Sequence, residues 1–496
     1  MNILDSVISY VSPAAALKRT TARAKAVVLA DSIRKYEAAA KGRRTDGWNS
    51  AGSSSNTEIR TALTILRDRS RDMVRNNPYA KRAMQVIGTN TVGTGIRPTA
   101  SAGKQAAKKI KEAWKYWAES TKCDHSGTFD FYGLQSLVMK SVAESGECLV
   151  IKRRSADQTV PLELQVVEAD LIDHNHDGET RSDGSYTIQG IEFNESGKRV
   201  GYWLYNRHPG ESGGFIGSKL VPASDVLHIY RVERPGQVRG VPFGTSGLLR
   251  LKDFDDFEDA QLMRQKIAAC FSIFVTDPQG DSTAGTDAQL EALSKVEPGT
   301  IEYLKPGKEV TFASPPPAEG YSEYSTTILH AIAMAYGVTY ESLTGDLSNV
   351  NFSSARMGWL EFHRLVNEYQ SYMLIPRLCR PVWAWFMEAL KISINTLDAS
   401  ITAEWTTPRR EMINPVEEIK AMSEAVRSGF MTWSEAIRQS GYDPEVVVAE
   451  LKSDFDIFDA NGFMLACDAR YDANRAKDKP AAQFKKEGKK EPAKPA

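Results

Sequence analysis

The sequence predicts an α+β protein, mainly helical, and three observations carry that reading. Apolar residues recur at helical spacing through most of the chain. Short strand-like runs separated by Gly, Asp and Asn turns are concentrated between Glu147 and Tyr230. The second half then orders itself as a long helix, a small stranded compartment, a helix, a polar loop and a very long helix. The 496 residues are 42% hydrophobic and 25% charged. That balance suits a soluble chain of about two to four folding units. No run approaches the roughly 20 apolar residues of a membrane span, so no membrane partner is expected. Asp5 interrupts the first apolar stretch, which argues against a secretory signal and for an intracellular or virion-interior site. The five cysteines are scattered without a CxxC pair, so buried thiols are expected rather than a zinc site or disulfides.

The elements follow in order. Ile3, Leu4, Val7, Ile8 and Val11 give a first helix that Pro13 interrupts, and the helical character continues to Ala40. A turn-rich linker spans Gly42 to Asn56. A helix on the stripe Ile59, Leu63, Leu66, Met73 and Val74 should stop before Pro78. Helices over Ala80–Asn90 and about Lys104–Glu119 come next, then one from Phe129. Strands are predicted at Glu147–Ile151, Leu162–Val167, Tyr186–Phe193, Val200–Tyr205 and Val226–Tyr230.

A long helix is predicted over Thr245–Ala269. Its acidic run, Asp253, Asp255, Asp256, Glu258 and Asp259, collects on no single face, and neither do its apolar residues. Such a helix meets several neighbours. Residues 271–319 form a small compartment with strands at Phe271–Thr276, Thr300–Leu304 and Val310–Phe312, left through the stiff run Pro315-Pro316-Pro317. A helix over Tyr321–Tyr336 leads to the polar loop Leu343–Phe352. The very long helix starts at Ser353 or Ser354 and runs towards Leu390, with Pro376 and Pro381 expected to kink it. A strand at Ser400–Trp405 and helices over Pro415–Ser440 and Pro444–Lys452 complete the pattern. Residues 473–496, rich in Lys, Ala and Pro, are expected to be disordered.

Net charge is −1 but unevenly placed: residues 1–120 hold 22 Lys and Arg against 9 Asp and Glu. Such a segment suits phosphate or an acidic partner, the plainer alternative being a solvated face. Catalytic motifs are scarce. Asp173, Asn175, Asp177 and Gly178 match the first half of a calcium loop, but Gly184 stands where a bidentate Glu belongs. Gly213–Lys219 has the wrong spacing for a phosphate loop, and no GxSxG occurs. No enzyme, cofactor or metal is expected. The alternative from another class is a metal-dependent nucleic-acid enzyme built on Asp173, His174, His176 and Asp177.

Three stretches are more specific. Residues 67–78 read RDRSRDMVRNNP and are followed by Val92-Gly93-Thr94-Gly95-Ile96; residues 233–243 read ERPGQVRGVPF; residues 343–357 read LTGDLSNVNFSSARM. Cys123-Asp124, Ser145-Gly146-Glu147 and the run from Pro222 to His228 agree in order with them. Together they resemble the lambda-type family of phage portal proteins, from about Pro13 to Leu451.

The resemblance implies a portal fold with wing, paired-helix stem, small clip, tunnel loop, long kinked helix and helical crown. The corresponding division is an arm and linker (1–56), wing (57–244), stem helices (245–270 and 320–342) flanking the clip (271–319), tunnel loop (343–352), long helix and strand (353–411), crown (412–472) and a basic tail (473–496). It implies a homo-oligomeric ring of about twelve subunits at one capsid vertex. Double-stranded DNA enters and leaves through it. It further implies contacts with the terminase large subunit, neck and tail connector proteins, and major capsid and scaffold proteins, with a role in nucleating head assembly. Its place is the virion, and the host cytoplasm during assembly. A channel should not grip DNA, and the loop Leu343–Phe352 contains no Lys or Arg. Asn349, Val350 and Asn351 are therefore expected nearest the DNA, and the acids from Asp253 to Asp259 are expected to repel it towards the axis. Arg67, Arg71, Arg75 and Arg356 are expected to meet a neighbouring subunit. Arg239-Gly240 is expected to be a tight turn into the stem.

Overall fold

The computed structural model describes residues 10, 12–33, 43, 46–47, 52–155, 158–211, 217–269, 273–276, 309–312, 320–348, 350–395 and 397–462. The expected helix over Ile3–Val11, the strand Thr300–Leu304, the proline run and the tail lie outside them. The chain divides into two units at Thr57/Glu58. In the first, α1 (Pro13–Ile33) has exposed or half-exposed side chains through Ala26.

The second unit is built on two cores. Helices α2 (Ser55–Asn76), α3 (Pro78–Val92), α4 (Lys104–Ala118) and α5 (Phe131–Ser145) lead into the sheets, with a short strand β1 (Arg97–Ala100) between α3 and α4. Asn77 separates α2 from α3 and caps the latter through Tyr79 N and Ala80 N, with Pro78 supplying a first turn that needs no donor. Strand β2 (Glu147–Arg153) is central to a three-stranded sheet, flanked by β3 (Glu163–Glu168) and, later in the chain, β8 (Val226–Tyr230). A four-stranded meander packs nearby: β4 (Tyr186–Ile188), β5 (Ile191–Phe193), β6 (Arg199–Tyr205) and β7 (Ser218–Pro222). The alternation of β2 explains its continuous apolar run. Cys148 and Val150 face the helical core, while Leu149 and Ile151 face the core shared with the meander.

The predicted strand Tyr186–Phe193 is a hairpin instead. Gln189 and Gly190 both take positive φ, +48° and +82°, the conformation a two-residue hairpin turn needs. A Cβ on Gly190 would lie 2.5 Å from Ile172 Cγ2, so the turn is also closed to larger residues. Strands β1 and β7 were not predicted. The first pairs with a strand three hundred residues away, and both are short.

Beyond β8, α6 (Leu248–Ala269) leads to the antiparallel pair β9 (Ile273–Thr276) and β10 (Glu309–Phe312), and α7 (Tyr321–Tyr336) returns. Phe257 of α6 stacks on Tyr321 and meets Tyr324 of α7. A short helix, α8 (Tyr340–Thr344), occupies the start of the expected loop and ends at Gly345, whose φ is +74°. The long helix begins one or two residues earlier than predicted, at Phe352. Its cap is Asn351: Oδ1 accepts from Ser354 N at 2.8 Å, and Asn351 N donates back to Ser354 Oγ at 3.3 Å. Asn351→Ala should therefore cost about 1 kcal/mol, measured as a lower unfolding midpoint, with Asn351→Asp retaining most of it.

The helix runs as α9 (Phe352–Glu368), a π-helical stretch (Tyr369–Cys379) and α10 (Arg380–Ser393). Pro376 lies inside the π stretch and Pro381 in the first turn of α10. The widened turns accommodate the missing donor of Pro376. Strand β11 (Ala403–Thr406) pairs with β1. Trp114, Trp117, Phe131, Trp383 and Phe386 form one aromatic cluster between α4, α5 and α10, with ring centroids 4.9–5.9 Å apart. The predicted helix Pro415–Ser440 is broken in two, α11 (Pro415–Arg427) and α12 (Trp433–Gln439), at Gly429 with φ +76°. The last helix, α13, extends further than predicted, over Pro444–Asn461.

Candidate functional site

The strongest polar constellation was not anticipated from sequence. Glu147, at the start of β2, is 1% exposed and gathers donors from three parts of the chain. Arg239 Nε lies 3.0 Å from both carboxylate oxygens, and Arg67 Nη2 of α2 donates to Oε1 at 2.7 Å. His228 Nε2 of β8 is 2.9 Å from Oε2, and Gly240 N donates to the same oxygen at 3.0 Å. Arg239 also donates to Gln189 O of the hairpin turn at 3.1 Å. Burial alone would raise the pKa of Glu147, but Arg239, His228 and Arg67 hold it well below the usual carboxylate range. Burial lowers His228 to about 4, against the opposing pull of Glu147, so the ring is neutral at neutral pH.

The hub fixes the segment entering α6. Gly240 and Gly146 meet there with no room for a side chain: a Cβ on Gly240 would lie 2.2 Å from Gly146 O. Thus Arg239-Gly240 is more than the tight turn expected. It ties the base of α6 to β2, β8 and α2 at once.

The polar loop follows α8, beyond the C-terminal end of α7. Asp346 accepts from Ser348 N and Oγ, and Asn351 caps α9. Val350 is half-buried and, with Leu347 and Trp359, borders a 360 Å³ groove. Asn349 lies outside the described residues.

The family model described as "Phage portal protein, lambda family" matches residues 41–370. The chain belongs to that family. It is 24% identical over 453 residues to the "Probable portal protein" of Halomonas phage phiHAP-1, covering 86% of this chain and 87% of that one. To "Portal protein B" of Escherichia phage lambda it is 21% identical over 461 residues, covering 81% and 85%. Among solved structures, a chain from the neck of a native gene transfer agent particle, computed with C12 symmetry, aligns with TM-score 0.47 at 16% identity, covering 81% of this chain and 99% of that one. A HK97 family phage portal protein from Corynebacterium diphtheriae aligns with TM-score 0.36 at 10% identity, covering 72% and 98%.

Within this portal-family chain the expected arginines separate. Arg67 is buried, and besides Glu147 it reaches Asp170 at 3.1 Å. Arg71 donates to Asp170 at 2.7 Å and to Ser145 Oγ at 3.0 Å. The carboxylates that Arg67 and Arg71 meet are thus supplied by the same chain. Arg75 is exposed and pairs with Asp72 in its own helix at 3.3 Å. Arg356 is exposed, with no acid within ion-pair distance among the described residues.

The acidic run also divides. Asp253, Asp256 and Asp259 are exposed, Asp256 pairing with Lys252. Asp255 is half-buried and accepts from Asn77 Nδ2 at 2.7 Å. Glu258 is half-buried beside Tyr321; burial, then Asp255, raises its pKa.

The geometry gives the metal-enzyme alternative no support. Asp173 accepts from Ser218 Oγ at 2.6 Å and Tyr205 OH at 2.7 Å, and these bonds hold its pKa low despite burial. Asp177 is paired with Arg60 at 2.8 Å and accepts from Gln189 N. His176 stacks on Trp203 and His174 is exposed, so the four side chains do not converge. Glu168, Asp170 and His208 lie closer together, yet Asp170 already holds two guanidinium groups.

Proposed function

We propose that this chain forms a closed ring of about twelve copies at a single capsid vertex. Double-stranded DNA passes through the ring during packaging and ejection. The ring sits in the virion, docks the terminase large subunit and later the neck and tail proteins, contacts the major capsid and scaffold proteins, and nucleates head assembly. It carries no enzymatic activity of its own. The observation that carries this reading is the order α6, antiparallel pair β9 and β10, α7, α8, loop, α9 in a chain of this family, with a loop free of Lys and Arg. Phosphate contacts from basic residues strengthen binding and resist sliding. Val350 and Asn351, with Asn349, are the residues assigned nearest the DNA, and Asp253, Asp256 and Asp259 the acids that keep it on the axis. Arg75 and Arg356 are assigned to subunit contacts.

Negative-stain microscopy of the purified chain tests the ring: particles with a central hole are expected, and a monomer at every concentration refutes it. Val350→Lys in assembled particles is expected to slow DNA packaging several-fold at low salt and less at high salt. An unchanged rate would remove the loop from the DNA path.

A further inference from the structure

The C-terminal helices are not self-sufficient. From Ile413 to Asn461 only Ala436 is buried among the described residues, whereas the body before it has two dense cores. Val416 and Ile419 on α11 are 78% and 57% exposed, Phe430 is 90% exposed, and Val448 and Ile457 on α13 are 52% and 54% exposed. A three-helix segment that buries so little cannot offset its own ordering entropy. Its orientation is nevertheless set by ion pairs to the body: Lys111 to Asp443 at 2.8 Å and Arg438 to Glu404 at 3.4 Å. Something else must cover these faces.

Charge identifies the cover. On α13, Glu450 and Asp454 flank the apolar face formed by Val447, Leu451 and Phe458, and neither has an ion-pair partner among the described residues. On α4, Lys104, Lys108, Lys111 and Lys115 fall on one face at helical spacing, separate from the face of the buried Ile110, Trp114 and Trp117. Among the described residues, Lys111 alone of these four has a carboxylate partner, and that partner is Asp443, the N-cap of α13. Exposed lysines on α4 and exposed acids on α13, unmatched among the described residues, suit a head-to-tail contact between copies. Residues 463–496 offer the apolar faces little: Phe463, Met464, Leu465, Tyr471 and Phe484 are their large apolar residues, amid Lys, Ala and Pro.

The geometry points to a second copy as the occupant: the acidic, apolar side of α13 packs on the lysine ridge of α4 in the next subunit, and the C-terminal helices become fully ordered only there. This rests on the ring reading. It is tested by charge exchange in the full chain, with ring fraction followed by sedimentation against protein and salt concentration. Lys108→Glu with Lys115→Glu, and separately Glu450→Lys with Asp454→Lys, should each raise the concentration needed for half-assembly at least tenfold; all four together should restore it. Proteolysis within residues 413–461 should be at least tenfold slower in rings than in dilute subunits. Rings that form normally with either pair reversed overturn this inference alone. So does a fourfold variant no better than the single pairs, or cleavage equally slow in subunits and rings. Normal assembly with loss of DNA binding in the lysine variant would give the ridge to DNA and equally overturn it. A wild-type chain that never assembles overturns the ring reading itself, and this inference with it.

Discussion

Glu147→Gln is expected to destabilise the folded subunit by about 3–5 kcal/mol, because it leaves the buried Arg239 guanidinium without its counter-charge and Arg67 with Asp170 alone. Arg239 is 2% exposed and Arg67 4%, so water cannot replace the lost carboxylate. Amide and acid are nearly the same shape, so packing is preserved and the loss reports charge. The measurement is the denaturant midpoint of dilute subunits; a change under 1 kcal/mol would mean the arginines find other partners. The same hub predicts acid sensitivity. Glu147 is depressed in the folded state, so its contribution is present above the ordinary carboxylate range and is lost as pH falls through the folded value. His228 is lowered from 6.5 to about 4, so the unfolded chain takes up a proton that the folded chain refuses, and stability declines as pH falls across that window. Both act in the same sense. His228→Gln should remove the decline between pH 6.5 and 4, a difference on the order of a few kcal/mol, while leaving the loss at lower pH.

The second large effect is at Gly240. Gly240→Ala places a methyl group 2.2 Å from Gly146 O and 2.6 Å from Tyr230 Cβ, and neither backbone nor ring stem can give way cheaply. The expected cost is about 3 kcal/mol or more. Because Gly240 N also donates to Glu147, any backbone shift that relieves the clash weakens the hub. The two effects are therefore not additive: Gly240→Ala in a Glu147→Gln background should cost clearly less than in the wild type. Equal costs in the two backgrounds would show that the clash and the hub are independent.

Much of the fold was legible because periodicity is local. The bounds of Tyr321–Tyr336 and Val226–Tyr230 agree with those predicted. Failures came where distant chain decides. Arg97–Ala100 is a strand only because Ala403–Thr406 lies beside it. The hub joins residues 80 to 93 positions apart, and the arginines in its motif read as surface charge. A signal was nevertheless present. Ile59, Leu63 and Arg67 continue one buried face of α2, with Ser70 after them. An arginine inside an apolar stripe asks for a buried carboxylate, and Glu147 stands directly before the apolar run Cys148–Ile151. The portal resemblance was legible in the order of the motifs, whereas the residues assigned to the DNA path rest on the loop's composition.

The loop between α8 and α9 is pinned at both ends, by Gly345 closing one helix and the Asn351–Ser354 cap opening the next. A chain from 345 to 351 has a contour of about 24 Å at most, so its tip reaches no more than about 12 Å beyond its anchors. On the proposed reading, in which this loop faces the DNA inside a ring, it works as an iris blade of fixed throw. The bore it can close is set by where the helices stand, so a change in aperture has to come from moving the helices rather than from stretching the loop.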